Sequence, residues 1–191
     1  MSDSIRAFIA IELNKDIQDS LAKIQSQLRA ARADVKWVKP ENIHLTLKFI
    51  GNIEIDLVIK IKEILQEISK IFQNVPADLN ELGAFPKIKN PRVIWVGMQT
   101  GKDKVIAILE ELEKRLAEIG IAKEEKEFHP HVTLGRLRSP HNRSDLVAML
   151  EKNIKIPPLN FTIDKIVLFK SALAPQGPIY EPQAEVSLKA S

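Results

Sequence analysis

Two short runs hold the side chains best suited to chemistry, His44-Leu45-Thr46-Leu47 and His131-Val132-Thr133-Leu134. Residues two apart on an extended strand face the same way, so each run would set an imidazole and a hydroxyl on one face and two apolar side chains on the other. Imidazole titrates at about pH 6.5, so near neutrality one histidine can hold a proton while its twin lacks it. Displacement at a phosphodiester needs that asymmetry, with a base for the attacking oxygen and an acid for the leaving oxygen. The threonine hydroxyls can donate to the non-bridging phosphate oxygens, where charge grows in the transition state. None of these tasks requires a metal or a cofactor.

A single His-x-Thr on a strand is ordinarily a hydrogen-bonded, partly buried structural residue. Here only four histidines exist, and two of them share the same apolar–Thr–apolar setting, which favours one shared site. Arg136 follows closely, and a planar guanidinium suits a phosphate. Lys87, Lys89, Arg92, Arg138 and Arg143 can add positive potential around it. Strict alternation from His131 puts Gly135 on the chemical face and Arg136 on the other, so either Gly135 hosts a bulge or Arg136 sits where the strand ends. Phe49 has the same parity problem; it is expected chiefly in the core, with stacking on a base the alternative. Tyr180 and Trp37 are expected as core or rim. A metal site from His129, His131 and His44 is disfavoured by Pro130 and by the absence of carboxylates in the motif. His141 reads as a solvated loop residue.

These runs need strands and a body behind them. The 191 residues, 45% hydrophobic and 28% charged, suit a soluble globular chain with a sizeable core. The apolar run Ala7–Ile11 is cut by Glu12, so it reads as a buried strand rather than a secretion signal, and a cytoplasmic protein without a membrane segment is expected. Absence of cysteine excludes disulfides, thiolate metal sites and a cysteine nucleophile. A net charge of +3 is compatible with an anionic substrate but far from that of a duplex-coating protein.

Strands are expected over 5–13, 43–50 (ending at the turn signal Gly51-Asn52), 76–85, 92–98, 131 onward, 159–169 and 180–188, with a loop over 86–91. Helical spacing predicts helices from Asp16 to Ala33, over 57–72, from Gly101 to Gly120, and over 144–151. Both halves read strand, helix, histidine strand, helix. The histidines lie 87 positions apart (131 minus 44), and the preceding strands, taken from Ile9 to Trp95, lie a similar 86 apart, which points to an internal duplication. No linker divides the halves. A single domain of two pseudo-symmetric lobes, residues 1–191, is expected.

Taken in order, Arg6-Ala7-Phe8-Ile9-Ala10-Ile11, Trp37 through Phe49, Gly83-Ala84-Phe85-Pro86, Pro91 through Gly97, Pro130 through Arg136, Ser171 and Gly177-Pro178-Ile179-Tyr180 resemble the RNA 2′,3′-cyclic phosphodiesterases of the 2H phosphoesterase superfamily, also called the 2′-5′ RNA ligase family. The resemblance implies a bilobal, duplicated α+β fold with antiparallel sheets lining a central cleft and helices outside. It implies metal-independent hydrolysis of a terminal 2′,3′-cyclic phosphate to a 2′-phosphate. In that pattern His44 is the proton donor, His131 the proton acceptor, and Thr46, Thr133 and Arg136 hold the phosphate; the residues alone do not say which histidine plays which part. Gly135 stands where many relatives have alanine. The implied partners are RNA 3′ ends or small nucleotides bearing a cyclic phosphate, with no cofactor, membrane or protein partner. Two alternatives stand: 2′-5′ ligation at the same site, and a non-catalytic RNA-binding module.

Overall fold

The computed structural model describes residues 4–152, 155–175 and 177–190. Strand β1 (Ser4–Glu12) alternates, with Ile5, Ala7, Ile9 and Ile11 in the main core and Phe8 and Ala10 in a second, smaller cluster on the opposite face. That division sets the plan of the molecule. Four α-helices among the described residues, α1 (Lys15–Leu28), α2 (Ile55–Ile71), α3 (Lys102–Glu118) and α4 (Arg143–Lys152), all bury their apolar stripes in the main core. The other face of the sheet is left open for polar groups. Asn14 starts α1 by accepting the Ile17 N–H at 3.0 Å, and Gly101 starts α3 from a left-handed turn with φ 81°, a conformation that costs glycine little.

The remaining strands are β2 (Val35–Trp37), β3 (His44–Glu54), β4 (Val75–Lys87), β5 (Asn90–Met98), β6 (His131–Leu137), β7 (Lys155–Ile163), β8 (Lys165–Ala174) and β9 (Gly177–Ser187). They form one sheet in the order β7-β4-β5-β6-β3-β1-β8-β9, with β2 also pairing β6, and the strand pairs are antiparallel. The expected cleft-lining sheets are thus two halves of one sheet, joined where Leu45 of β3 faces Val132 of β6. The halves exchange strands: β4 follows the first repeat in sequence but pairs β5 of the second, while β8 pairs back with β1. Only Asp164 separates β7, at one end of the order, from β8 near the other, so the sheet must curl to bring its ends together. No helix among the described residues is long and apolar enough to cross a membrane.

Several expected boundaries move for identifiable reasons. Gly51-Asn52 does not end the first histidine strand; Gly51, with φ 85°, is absorbed within β3, which continues to Glu54. The loop at 86–91 shrinks to the two-residue turn Ile88-Lys89, because Pro86 and Pro91 face each other across the hairpin. The single strand at 159–169 is two strands, broken at Asp164 where the chain changes partner from β4 to β1. Strand β2 had no periodic signal, being only three residues long and fixed by β6.

Lys48 lies on the buried side of β3 and is 4% exposed. Its ammonium donates to both carboxylate oxygens of Glu113 on α3, at 2.7 and 2.9 Å, and to the Ala122 carbonyl at 2.7 Å. It thereby ties α3 and the segment leading to His131 onto β3. Truncating one member strands the other charge in the interior, so Lys48→Ala should cost about 3–5 kcal/mol in urea unfolding. The double variant Lys48→Met/Glu113→Leu should recover most of that loss.

Candidate active site

Each histidine strand carries the same irregularity. On β6, Thr133 pairs Trp95 and Gly135 pairs Ile94, leaving Leu134 as an extra residue; on β3, Thr46 pairs Ala10 and Lys48 pairs Ile9, leaving Leu47 extra. A bulge flips the alternation beyond it. Before the bulges, Leu45, Leu47, Val132 and Leu134 enter the main core while His44, Thr46, His131 and Thr133 stay partly exposed on the opposite face. Beyond them Lys48 and Gly135 turn inward, and Phe49 and Arg136, which also lie 87 apart, turn out to the histidine face. The bulge near Gly135 is therefore the device that carries Arg136 there. Phe49 is 64% exposed. The expectation that it fills the core fails, because the bulge reverses the parity on which it rested.

The β6 bulge is held from behind. The Leu134 carbonyl accepts from the Val38 N–H at 2.9 Å and from the side chain of Gln25 at 2.8 Å; the same Gln25 amide also donates to the Val38 carbonyl at 2.8 Å. Gln25 stands on α1 in the stripe Ile17, Leu21, Gln25, Leu28 and is 2% exposed. A polar residue on an otherwise apolar helical stripe is the one signal for it in the sequence.

Leu45 pairs Val132 at the joint, so His44 and His131, each one residue from that pair, flank it on the histidine face. The His44 Nδ1–H donates to the Asn42 carbonyl at 2.8 Å and the His131 Nδ1–H to the His129 carbonyl at 2.6 Å. A carbonyl can only accept, so Nδ1 carries a proton in both rings and Nε2 is the nitrogen left for chemistry. No described residue bonds either Nε2, nor the hydroxyl of Thr46 or Thr133.

Aromatic rings on the neighbouring strands back both imidazoles. Phe8 of β1 stacks on His44 with centroids 4.9 Å apart, and Trp95 of β5 lies 6.0 Å from His131. Phe8 and Trp95 are 87 apart, so they, rather than Ile9 and Trp95, are the matching pair. Tyr180 stands edge-on to His44 at 5.3 Å and to Phe8 at 4.9 Å; it is a rim residue, as expected. Trp37 packs on the main core under Arg29. Lys87, Lys89, Arg92, Arg138 and Arg143 all lie in the other half of the sheet or next to it, none on β1 or β3. His129 sits edge-on to Trp95 at 4.8 Å, and among the described residues no three of His, Cys, Asp and Glu are grouped to hold a metal. His141 is exposed, as expected.

The charges around the two rings differ. Burial lowers the pKa of both. For His44, the Asn42 carbonyl and the Glu12 carboxylate work the other way. For His131, the His129 carbonyl raises the pKa, while positive charge at the His129 ring and Arg136 lowers it further. Glu12 is the cross-strand partner of His44, whereas the partner of His131 is Gly97, which has no side chain. Glu12 and His44 also line a shared cavity of about 120 Å³, with Glu41, Gln18 and Tyr180.

Comparison with known proteins finds the same repeat and the same fold. The family profile described as LigT-like phosphoesterase matches residues 11–95 and again 96–180. The chain is 34% identical over 177 residues to a Methanocaldococcus jannaschii protein named RNA 2′,3′-cyclic phosphodiesterase, covering 93% of this chain and 97% of that one. It is 36% identical over 171 residues to a protein of the same name from Aeropyrum pernix, covering 90% and 96%. A crystal structure from Thermus thermophilus aligns with a TM-score of 0.81 at 25% identity, over 98% of this chain and 100% of that one.

Replacing Gln25 with leucine removes a donor from the buried Leu134 carbonyl, at a cost of about 1–3 kcal/mol. Urea unfolding of Gln25→Leu should show that loss, and calorimetric titration should show weaker binding of inorganic phosphate. Unchanged phosphate affinity would detach Gln25 from the placement of Arg136.

Proposed function

Because the chain belongs to the LigT-like phosphoesterase family, we propose that it hydrolyses the 2′,3′-cyclic phosphate at RNA 3′ ends, within a single domain of two pseudo-symmetric lobes. The observation that carries this reading is the matched pair of imidazoles, each with Nδ1–H locked on a carbonyl two residues upstream and with Nε2 unbonded among the described residues. In the reaction, His131 Nε2 takes a proton from water as the water oxygen bonds to phosphorus. The bond from phosphorus to the ribose 3′ oxygen breaks, and His44 Nε2 gives its proton to that oxygen, leaving a 2′-phosphate. Thr46, Thr133 and Arg136 donate to the non-bridging oxygens, where negative charge builds. Phe49, exposed beside the site, offers its face to the base.

The division of labour between the histidines is supported by their surroundings. The proton donor must be charged when the acceptor is neutral. A carboxylate beside His44 favours its charged form, while cations beside His131 favour its neutral form. Burial lowers both values, so the pH optimum should fall on the acidic side of the ordinary imidazole value.

Assayed on an oligonucleotide ending in a cyclic phosphate, His44→Ala and His131→Ala should each lower turnover by about 10²–10⁴. Undiminished turnover in either variant would remove that histidine from the mechanism. Turnover by the native protein should follow a bell-shaped pH profile. In Glu12→Gln the alkaline limb, which reports the proton on His44, should move to lower pH while the acid limb stays; a shift of the acid limb instead would reverse the two roles.

A further inference from the structure

The open face of β1 presents Arg6, Phe8, Ala10 and Glu12 in sequence, since the residues between them enter the main core. Phe8 and Ala10 form an apolar floor with Val167, Phe169 and Tyr180. The two ends of this row carry opposite charge. At one end Glu12 and Glu41 line the cavity beside His44, and Lys165 bridges Glu12 at 2.8 Å and Glu185 at 3.1 Å; three carboxylates to one ammonium make a poor place for a phosphate. At the other end Arg6 is exposed, and none of the ion pairs among the described residues includes it. Its charge reaches the Tyr180 hydroxyl, as does that of Arg136; burial raises the tyrosine pKa and the two guanidiniums oppose the rise. The second repeat has Val93 at the matching position, 87 residues on, so this cation belongs to the His44 half alone.

If His44 protonates the departing 3′ oxygen, the terminal ribose lies on the His44 half. Resting on that reading, we propose that Arg6 binds the phosphodiester joining the terminal nucleotide to the one before it, so that RNA leaves the site over the Arg6 end of β1. Arg136 serves the reacting phosphate, and a second phosphate needs a second cation. Arg6 stands two residues beyond Phe8, about 7 Å along the strand, and its flexible stem extends that reach. A guanidinium presents paired donors to phosphate oxygens. The acidic end of the row turns the chain away from the opposite exit.

The test compares two substrates, adenosine 2′,3′-cyclic monophosphate and the dinucleotide ApA ending in a 2′,3′-cyclic phosphate, which adds one internal phosphodiester. The native protein should prefer the dinucleotide by kcat/KM, and Arg6→Ala should reduce that preference roughly tenfold, the scale of one charge-assisted contact. The loss should appear in KM rather than kcat, and Arg6→Lys should restore part of it. A neutral methylphosphonate in place of the internal linkage should reproduce the loss in the native protein and should add nothing in Arg6→Ala. An unchanged substrate preference in Arg6→Ala, or additive losses from the variant and the methylphosphonate, would overturn the assignment. A native protein that cleaves neither substrate would strike the reading of the activity itself.

Discussion

A histidine whose Nδ1–H is held by a backbone carbonyl has one nitrogen left with which to move a proton. In this chain that restriction is imposed twice, by Asn42 on His44 and by His129 on His131. Each carbonyl sits just before its strand begins, so tautomer and ring orientation are built into the entry to the strand rather than left to a neighbouring side chain. Other features of the site depend on this. Phe8 and Trp95 back the two rings, and the joint at Leu45–Val132 brings the two strands side by side.

Duplication supplies the pair, and departures from duplication make its two members differ. Two identical environments would give two imidazoles of equal proton affinity, whereas acid–base work needs them to differ. The differences lie at matched places. Glu12 faces His44 where Gly97 faces His131. Phe49 occupies the place that Arg136 holds in the second repeat, giving one side of the site an aromatic face and the other a cation. The bulges at Leu47 and Leu134 put both residues on the chemical face, so a shared backbone irregularity presents two different side chains.

The body of the protein holds this arrangement by exchange. With β4 lying beside β5 and β8 beside β1, each half of the sheet contains a strand from the other repeat. The two repeats therefore cannot separate without breaking the β4–β5 and β1–β8 ladders. The buried pair Lys48–Glu113 and the amide of Gln25 add polar ties between the helical layer and the histidine strands. Buried polar groups are costly unless bonded; Lys48 donates to the Ala122 carbonyl as well as to Glu113, and Gln25 donates to two backbone carbonyls.

Residue types and local spacing determined which side chains are equipped for chemistry. Two His-x-Thr runs, no cysteine and a repeat of 87 positions are properties of the chain itself, and alternation was enough to place His44 and Thr46 on one face and Leu45 and Leu47 on the other. The helices were equally legible, because a 3.6-residue stripe is a local pattern. Tertiary structure decided what depends on strand partners. Whether Arg136 and Phe49 reach the site turns on a one-residue bulge set by pairing with β5 and β1, and strict alternation carries no record of such a slip. The break at Asp164 and the short strand β2 were likewise invisible, since each exists only because another strand lies beside it. The carboxylate of Glu12 comes to His44 the same way, from across the sheet, because cross-strand neighbours are chosen by register and not by distance along the sequence.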